Sequence, residues 1–328
     1  MAHEISTENG KASMMYYGET PWHQLGTRLQ KPATSEEAIV AAGLDWEVIK
    51  KPVYVKMDKR FQVKDTFAMV RKDKWQNNDC DILGVVGKNY TPVQNKDAFN
   101  FFDSIVGDKK AIYHTAGSLS GGKIIWILAK LPGYIRVINN DISEKYLLIS
   151  NSHDGSSMVQ IKFTPIRVVC MNTLTVALNK GETLKVKHCK DVKDKLRQAS
   201  ELLGIVNEKY DVIERSFKNM VKVQLNEKRL NEYIKTVFPD PVDELQYATA
   251  DNNREMVRDL FEQGLGNNLP GVAGTLWAGY NAVTELIDHK ITKQNKDMRT
   301  KSIWFGNGYN VKQKAYDVAN DKMKIWLN

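Results

Sequence analysis

The chain has 328 residues, of which 42% are hydrophobic and 9% aromatic, enough apolar side chain to fill a packed core and too much for a disordered chain. Its 47 Lys and Arg outnumber its 39 Asp and Glu, a net charge of +8 that suits a polyanionic partner without being extreme. No run approaches the roughly eighteen apolar residues of a membrane span, and no membrane partner is expected. The polar start, Met1 to Gly18, has no apolar signal core, and the three cysteines, Cys80, Cys170 and Cys189, are too few and too odd for a disulfide framework. A cytoplasmic protein is expected.

Residues 1–20 read as a flexible tail. Thr34-Ser35-Glu36-Glu37 is a capping box for a short helix that Gly43 ends. Strand-like runs follow at Trp46–Met57, Phe61–Arg71 and Ile82–Val86, with Pro52 marking the first as an edge or bulge. Asn95 caps a helix from Lys96 to Val106. Further strands are expected at Ala111–Ala116, Lys123–Leu131, Tyr134–Ile138, Lys145–Asn151 and Met158–Phe163, close enough in sequence for a mostly antiparallel meander. Thr164-Pro165 then reads as a helix start, with Ile166, Val169, Cys170 and Leu174 on one face up to Asn179. One more strand is expected over Thr183–His188.

The clearest periodicity comes next. Val192, Leu196, Ala199, Leu203, Val206, Tyr210, Ile213, Phe217 and Met220 alternate spacings of four and three, a heptad helix over residues 190–222. Its mixture of small and aromatic residues points to packing within the chain. Helices are expected at Glu227–Phe238, Pro241–Gln263, Val272–His289 and Tyr309–Leu327. The fold class is therefore α+β: an antiparallel core over residues 21–189, then a helical region over residues 190–328.

Candidate sites are weighed against plainer alternatives. Gly117 to Lys123 matches the first part of a phosphate-binding loop, but Ile124 replaces the required Ser or Thr and a strand follows, so a turn is favoured. His153-Asp154-Gly155-Ser156 contains a base and a nucleophile, yet Asp-Gly between strands reads as a hairpin. Cys170, His188 and Cys189 lack the paired spacing of a zinc site. No catalytic set, metal or cofactor is expected. The basic residues Lys123, Arg136, Lys162, Arg167, Lys185 and Lys187 are the candidates for contacting a phosphate backbone, with Trp126 or Tyr134 as stacking aromatics and core packing favoured for Trp126.

Four stretches carry a resemblance that spans nearly the whole chain: PWHQLGT (Pro21–Thr27), YTPVQNKDAFNFFDSIV (Tyr90–Val106), NSHDGSSMVQIKFTPIRVVCMNTL (Asn151–Leu174) and TLWAGYNAVTELIDH (Thr275–His289). In these the chain resembles the phage/plasmid-like proteins of domain-of-unknown-function family 932. That resemblance implies a phage, prophage or plasmid setting inside a bacterial cell and supplies no catalytic residues. The order of elements, a meander followed by a helix, is also similar to that of phage single-strand annealing proteins of the Redβ/Erf superfamily, a likeness of fold alone. The function expected on these grounds is nucleic-acid binding, annealing or protecting single-stranded DNA in recombination, as a homo-oligomeric ring or filament. The alternative is a phage counter-defence or regulatory protein that binds a host protein. A nuclease or other hydrolase finds no carboxylate cluster to support it.

Overall fold

The structure is a computed structural model that describes residues 5–18, 21, 24–76, 82–106, 112–170, 172–173, 184–188, 194, 206–291 and 299–327. The chain divides into two compact units, each assembled from three stretches. The first takes Met1–Pro132, Leu147–Lys162 and Thr183–Ile205; the second takes Gly133–Tyr146, Phe163–Glu182 and Val206–Asn328. The division therefore does not fall at residue 190, where the change from strands to helices suggested it.

The first unit opens with β1 (Thr7–Glu8), β2 (Lys11–Ala12), β3 (Met14–Tyr17) and β4 (Thr27–Leu29). The expected flexible tail is thus corrected: from Ile5 onward it is sheet. Ile5 bridges Leu119, and Ile5 and Met15 are fully buried. The apolar run Met14, Met15, Tyr16 supplies a strand interior that the surrounding polar residues disguise. Helix α1 (Ser35–Ala41) forms with the capping box as read: Thr34 Oγ1 accepts from the Glu37 amide, and the Glu37 carboxylate accepts from the Thr34 amide at 2.9 Å. A three-stranded antiparallel sheet follows in the order β5 (Val48–Lys56), β6 (Arg60–Arg71), β7 (Ile82–Gly87), with a short helix α2 (Lys72–Gln76) between the last two. Strand β5 lies at an edge and shifts register between Pro52 and Tyr54, the fault that its proline foretold.

Helix α3 (Asn95–Val106) and strand β8 (Ile112–Leu119) complete the first long stretch. Asn95 does not cap its own helix by its side chain. It is buried, and its amide nitrogen donates to the Leu44 carbonyl at 2.9 Å while its oxygen meets His153 Nε2 at 2.9 Å. Strand β3 lies between β4, which it pairs in parallel, and β8, which it pairs antiparallel. The two strands expected between Lys123 and Ile138 are one, β9 (Ile124–Ile138), carried through Gly133 at φ 79°. Strands β10 (Asp141–Ser152), β11 (Val159–Phe163) and β14 (Leu184–Val186) follow the expected meander, β14 pairing antiparallel with β11.

In the second unit, β12 (Ile166–Arg167) and β13 (Asn172–Thr173) stand where a helix was expected from Thr164. That expectation is corrected over its described part, and residues 174–179 lie outside the described residues. The reason is that the backbone donors here are taken up across the chain. The Thr164 amide donates to the Tyr146 carbonyl at 2.9 Å, and the Val168 amide to the Ile142 carbonyl at 2.9 Å, which leaves no intrahelical ladder to start.

The helices are α4 (Val206–Lys222), α5 (Glu227–Val237), α6 (Tyr247–Gln263), α7 (Leu276–Glu285), α8 (Arg299–Phe305) and α9 (Asn307–Trp326). Helix α4 covers the C-terminal part of the span expected to form the heptad helix. Its seam residues Tyr210, Ile213, Phe217 and Met220 are all fully buried, while the expected seam positions Val192, Leu196, Ala199 and Leu203 lie outside the described residues. Phe217 sits against Trp277, Tyr280 and Tyr316, with centroids 4.5, 6.3 and 6.3 Å away. This aromatic cluster is the core of the helical part, as the seam composition suggested.

Candidate nucleic-acid interface

Of the six basic residues singled out in the sequence, two are buried. Arg167 is fully buried, and its role as a phosphate contact is corrected. Its Nε and Nη2 each donate to an Asp141 carboxylate oxygen at 2.8 Å, and its remaining donors reach the Gly266 carbonyl at 2.9 Å and Asn267 Oδ1 at 3.1 Å. Trp277 Nε1 donates to the same carboxylate at 2.7 Å. A guanidinium saturated in this way holds the second unit together and has nothing left for a ligand. Lys162 is also buried, 5% exposed, and is corrected with it.

Lys123 and Lys187 are exposed in the first unit. Lys185 lies on β14 opposite Gln160. Arg136 is exposed in the second unit, its guanidinium 5.5 Å from the Tyr134 ring centroid and bonded to the Tyr134 hydroxyl at 3.1 Å. Trp126 is core, fully buried.

Of the Gly117–Lys123 stretch, Gly117 to Leu119 end β8 and pair with β9, and only Ser120 to Lys123 form the turn between the two strands, with Ser120, Gly121 and Gly122 at φ 52°, 72° and 91°. Gly117 has to be glycine because an added Cβ would lie 2.4 Å from the Trp126 ring. Beside the turn is a cavity of about 170 Å³ lined by Ser6, Glu8, Ser13, Arg71, Lys74 and Gly121 among others. Its two cations are already paired with Glu8, at 3.1 and 3.0 Å, so it offers no free positive charge to a phosphate.

The His153 stretch forms a turn held by its own hydrogen bonds. His153 donates its amide to the Lys123 carbonyl at 2.7 Å, its imidazole is fully buried, and the Trp46 ring packs on it at 5.4 Å. Asp154 accepts from Ser152 Oγ at 2.5 Å and from the Ser156 amide at 2.8 Å, an Asx turn closed by Gly155 at φ 78°. Tyr90 stacks on His188 at 4.6 Å and donates to the Ser152 carbonyl at 2.7 Å. Among the described residues no three His, Cys, Asp or Glu side chains gather as a metal site, and Cys80 and Cys189 lie outside the described residues.

Among the described residues a further exposed cationic surface lies on the β5–β6 hairpin. From Lys50 to Lys64 the sequence carries six cationic side chains, Lys50, Lys51, Lys56, Lys59, Arg60 and Lys64, against the single carboxylate of Asp58. Most of the chain's net charge of +8 is thus concentrated in fifteen residues. The root of the hairpin is tied down. Lys50 Nζ donates to the Lys88 and Tyr90 carbonyls at 2.7 and 2.9 Å and lies over the Phe67 ring, and burial lowers its pKa. Lys51 lies 5.0 Å from the Trp75 ring.

Beyond the root the hairpin is free. Pro52 pairs with Phe67 but Tyr54 pairs with Gln62, so β6 carries a bulge of extra residues around Lys64 and Asp65, the latter at φ 53°. Strand β7 pairs only with Thr66 to Val70, so from Tyr54 to Gln62 the sheet has two strands and projects as an arm. Every residue from Tyr54 to Gln62 is exposed. Among the described residues Lys56, Lys59, Arg60 and Lys64 have no carboxylate partner, and the Arg60 guanidinium rests 3.9 Å from the Tyr54 ring centroid. Sequence reasoning placed both strands here yet looked for cations around the expected helix instead. The usable signal was the run KKPVYVKMDKRFQVK, basic and aromatic residues interleaved across a predicted hairpin.

Comparison with known families matches residues 82–304, about two thirds of the chain, to the family described as domain of unknown function (DUF932). The chain belongs to this family. The matched span begins at β7, so the arm lies ahead of it. No curated protein and no solved structure matches the chain. Among the described residues no helix is long and apolar enough to cross a membrane.

Proposed function

We propose that this member of the DUF932 family is a phage- or plasmid-encoded nucleic-acid-binding protein that anneals or protects single strands, and that the β5–β6 arm is its principal contact. The observation that carries this is the arm's four cations without carboxylate partners, projecting on a two-stranded ribbon with an arginine-capped tyrosine among them. Such a ribbon supplies the phosphate-neutralising charge that dominates nucleic-acid affinity. Lys123, Lys185 and Lys187 belong to the same unit and add to the cationic contact, and Arg136 with Tyr134 forms a second, smaller one. Assembly into a ring or filament would use open sheet edges, of which β4 is one.

The test is binding of a labelled oligonucleotide at several salt concentrations, followed by annealing of two complementary labelled strands. Each phosphate contact contributes a slope of about −0.7 in log K against log salt for single strands. Replacing Lys56, Arg60 and Lys64 together by Ala should shallow that slope by about 2 and abolish annealing at physiological salt. A folded triple variant with unchanged affinity and slope overturns the assignment.

A second reading, a regulatory protein that binds a host protein, draws on a different feature. Between α5 and α6 the segment Pro241–Gln246 leaves Val242 fully exposed and Leu245 88% exposed beside Asp243 and Glu244. Salt-independent capture of a host protein that Val242→Ser with Leu245→Ser abolishes, with no oligonucleotide binding, would favour it.

A further inference from the structure

Resting on the nucleic-acid reading above, we infer that the arm selects unpaired over paired strands through the face that carries Val55 and Phe61, with Phe61 as the residue on which a base stacks. In an antiparallel ribbon, cross-strand partners share a face and residues two apart along a strand share a face. Tyr54 pairs with Gln62, Val55 with Phe61 and Lys56 with Arg60. One face therefore carries Tyr54, Lys56, Arg60 and Gln62, and the other carries Val55 and Phe61, with Met57 at the tip. The arm is amphipathic, yet neither face is covered: Val55, Met57 and Phe61 are 49%, 72% and 57% exposed.

A two-stranded hairpin without a third strand or a packed face is only marginally stable in water. An apolar face kept open on such an element, backed by cations, fits a ligand that is both charged and flat. The two exposed rings differ in availability. The Tyr54 ring is already capped by the Arg60 guanidinium at 3.9 Å. The Phe61 ring has no ring or cation against it among the described residues. Unpaired bases offer π-faces to such a ring, whereas a duplex keeps its bases stacked inside and offers only phosphates to the cationic face. From Tyr54 to Met57, at ~3.3 Å per residue, the ribbon spans about 10 Å, roughly three stacked bases at ~3.4 Å each.

The experiment measures the affinity of the full chain for a labelled oligothymidine and for a duplex hairpin of matched charge, with Phe61→Ala, Phe61→Trp and Lys56→Ala/Arg60→Ala variants, each checked for folding by circular dichroism. The parent should prefer the single strand. Phe61→Ala should lose roughly fivefold to hundredfold in single-strand affinity, leave duplex affinity within about twofold and keep the salt slope, as expected for one lost stacking contact. Phe61→Trp should restore or exceed the parent preference. The lysine–arginine variant should weaken both ligands and shallow both slopes. Parent binding to both ligands with Phe61→Ala weakening neither, or both equally, overturns the base-stacking inference and leaves the cationic arm standing. No binding of either ligand by the parent removes the nucleic-acid reading itself. A Phe61→Ala variant that changes the oligomeric state with no change in preference assigns the face to a second copy of the chain and overturns the inference.

Discussion

His153 is held neutral by its surroundings. Its Nε2 faces the Asn95 amide oxygen, which can only accept, so the proton sits on Nε2 and the lone pair on Nδ1. Nδ1 is buried with no partner among the described residues, so protonating it would create a buried, unpaired charge. Burial chiefly, with the nearby His188 adding to it and Asp154 opposing it, lowers the His153 pKa to about 3. The folded pKa is below the unfolded value of about 6.5, so this histidine's contribution is intact above pH ~6.5 and is lost as the pH falls toward 3. The His188 pKa is lowered too, first by burial, and acts in the same direction. Thermal melts followed by circular dichroism from pH 7 to pH 4 should show a marked fall in Tm that His153→Gln flattens. An unchanged pH dependence in that variant would remove His153 as the cause. Arg167 makes the complementary point. It reads as a surface cation because its partner Asp141 is 26 residues away and nothing local announces the pair. Breaking a buried, bidentate pair by Arg167→Met should cost about 3–5 kcal/mol in urea unfolding, since it strands the carboxylate. A folded Arg167→Met variant of parent stability would contradict the buried geometry.

At the scale of elements, local signals were legible wherever one segment supplies its own reasons. The α1 capping box, the Asp-Gly turn at residues 154–155 and the register shift beside Pro52 all form as the residues dictate. The Thr164-Pro165 signal failed because amides at 164 and 168 bond strands that lie far off in sequence, which no local pattern encodes. The exposure of the arm is illegible in the sequence for another reason. Its strands were predicted, but alternation cannot say whether an apolar face is covered, and only the pairing of β7 with the far end of β6 shows that this one is not. Close approach of two elements is equally invisible in sequence. Gly84 on β7 leaves room for the Asp154 backbone, and an added Cβ would lie 2.4 Å from the Asp154 Cα. Backbone cannot move aside as a side chain tip can, so Gly84→Ala should destabilise by about 1–3 kcal/mol, read from the urea midpoint. A neutral Gly84→Ala would mean that the turn at His153 relaxes freely.

For the whole molecule, charge and stability are located in different places. The aromatic cluster of Phe217, Trp277, Tyr280 and Tyr316 and the buried Arg167–Asp141 pair hold the second unit. The arm belongs to the first unit, and beyond its bulge it is part of no core there, because every residue from Tyr54 to Gln62 is exposed. Replacing Tyr54–Gln62 with a short Asn-Gly turn should therefore leave the fold nearly intact, with a Tm close to the parent's. The same change removes Lys56, Lys59 and Arg60 together with Phe61. Oligonucleotide binding should then fall at least tenfold at physiological salt and its salt slope should shallow by about 2, since three cations leave and about −0.7 goes with each phosphate contact. Binding that survives with its slope unchanged would move the interface to Lys123, Lys185 and Lys187. A large loss of stability would instead show that the arm is part of a core, and its exposed faces would need a structural explanation.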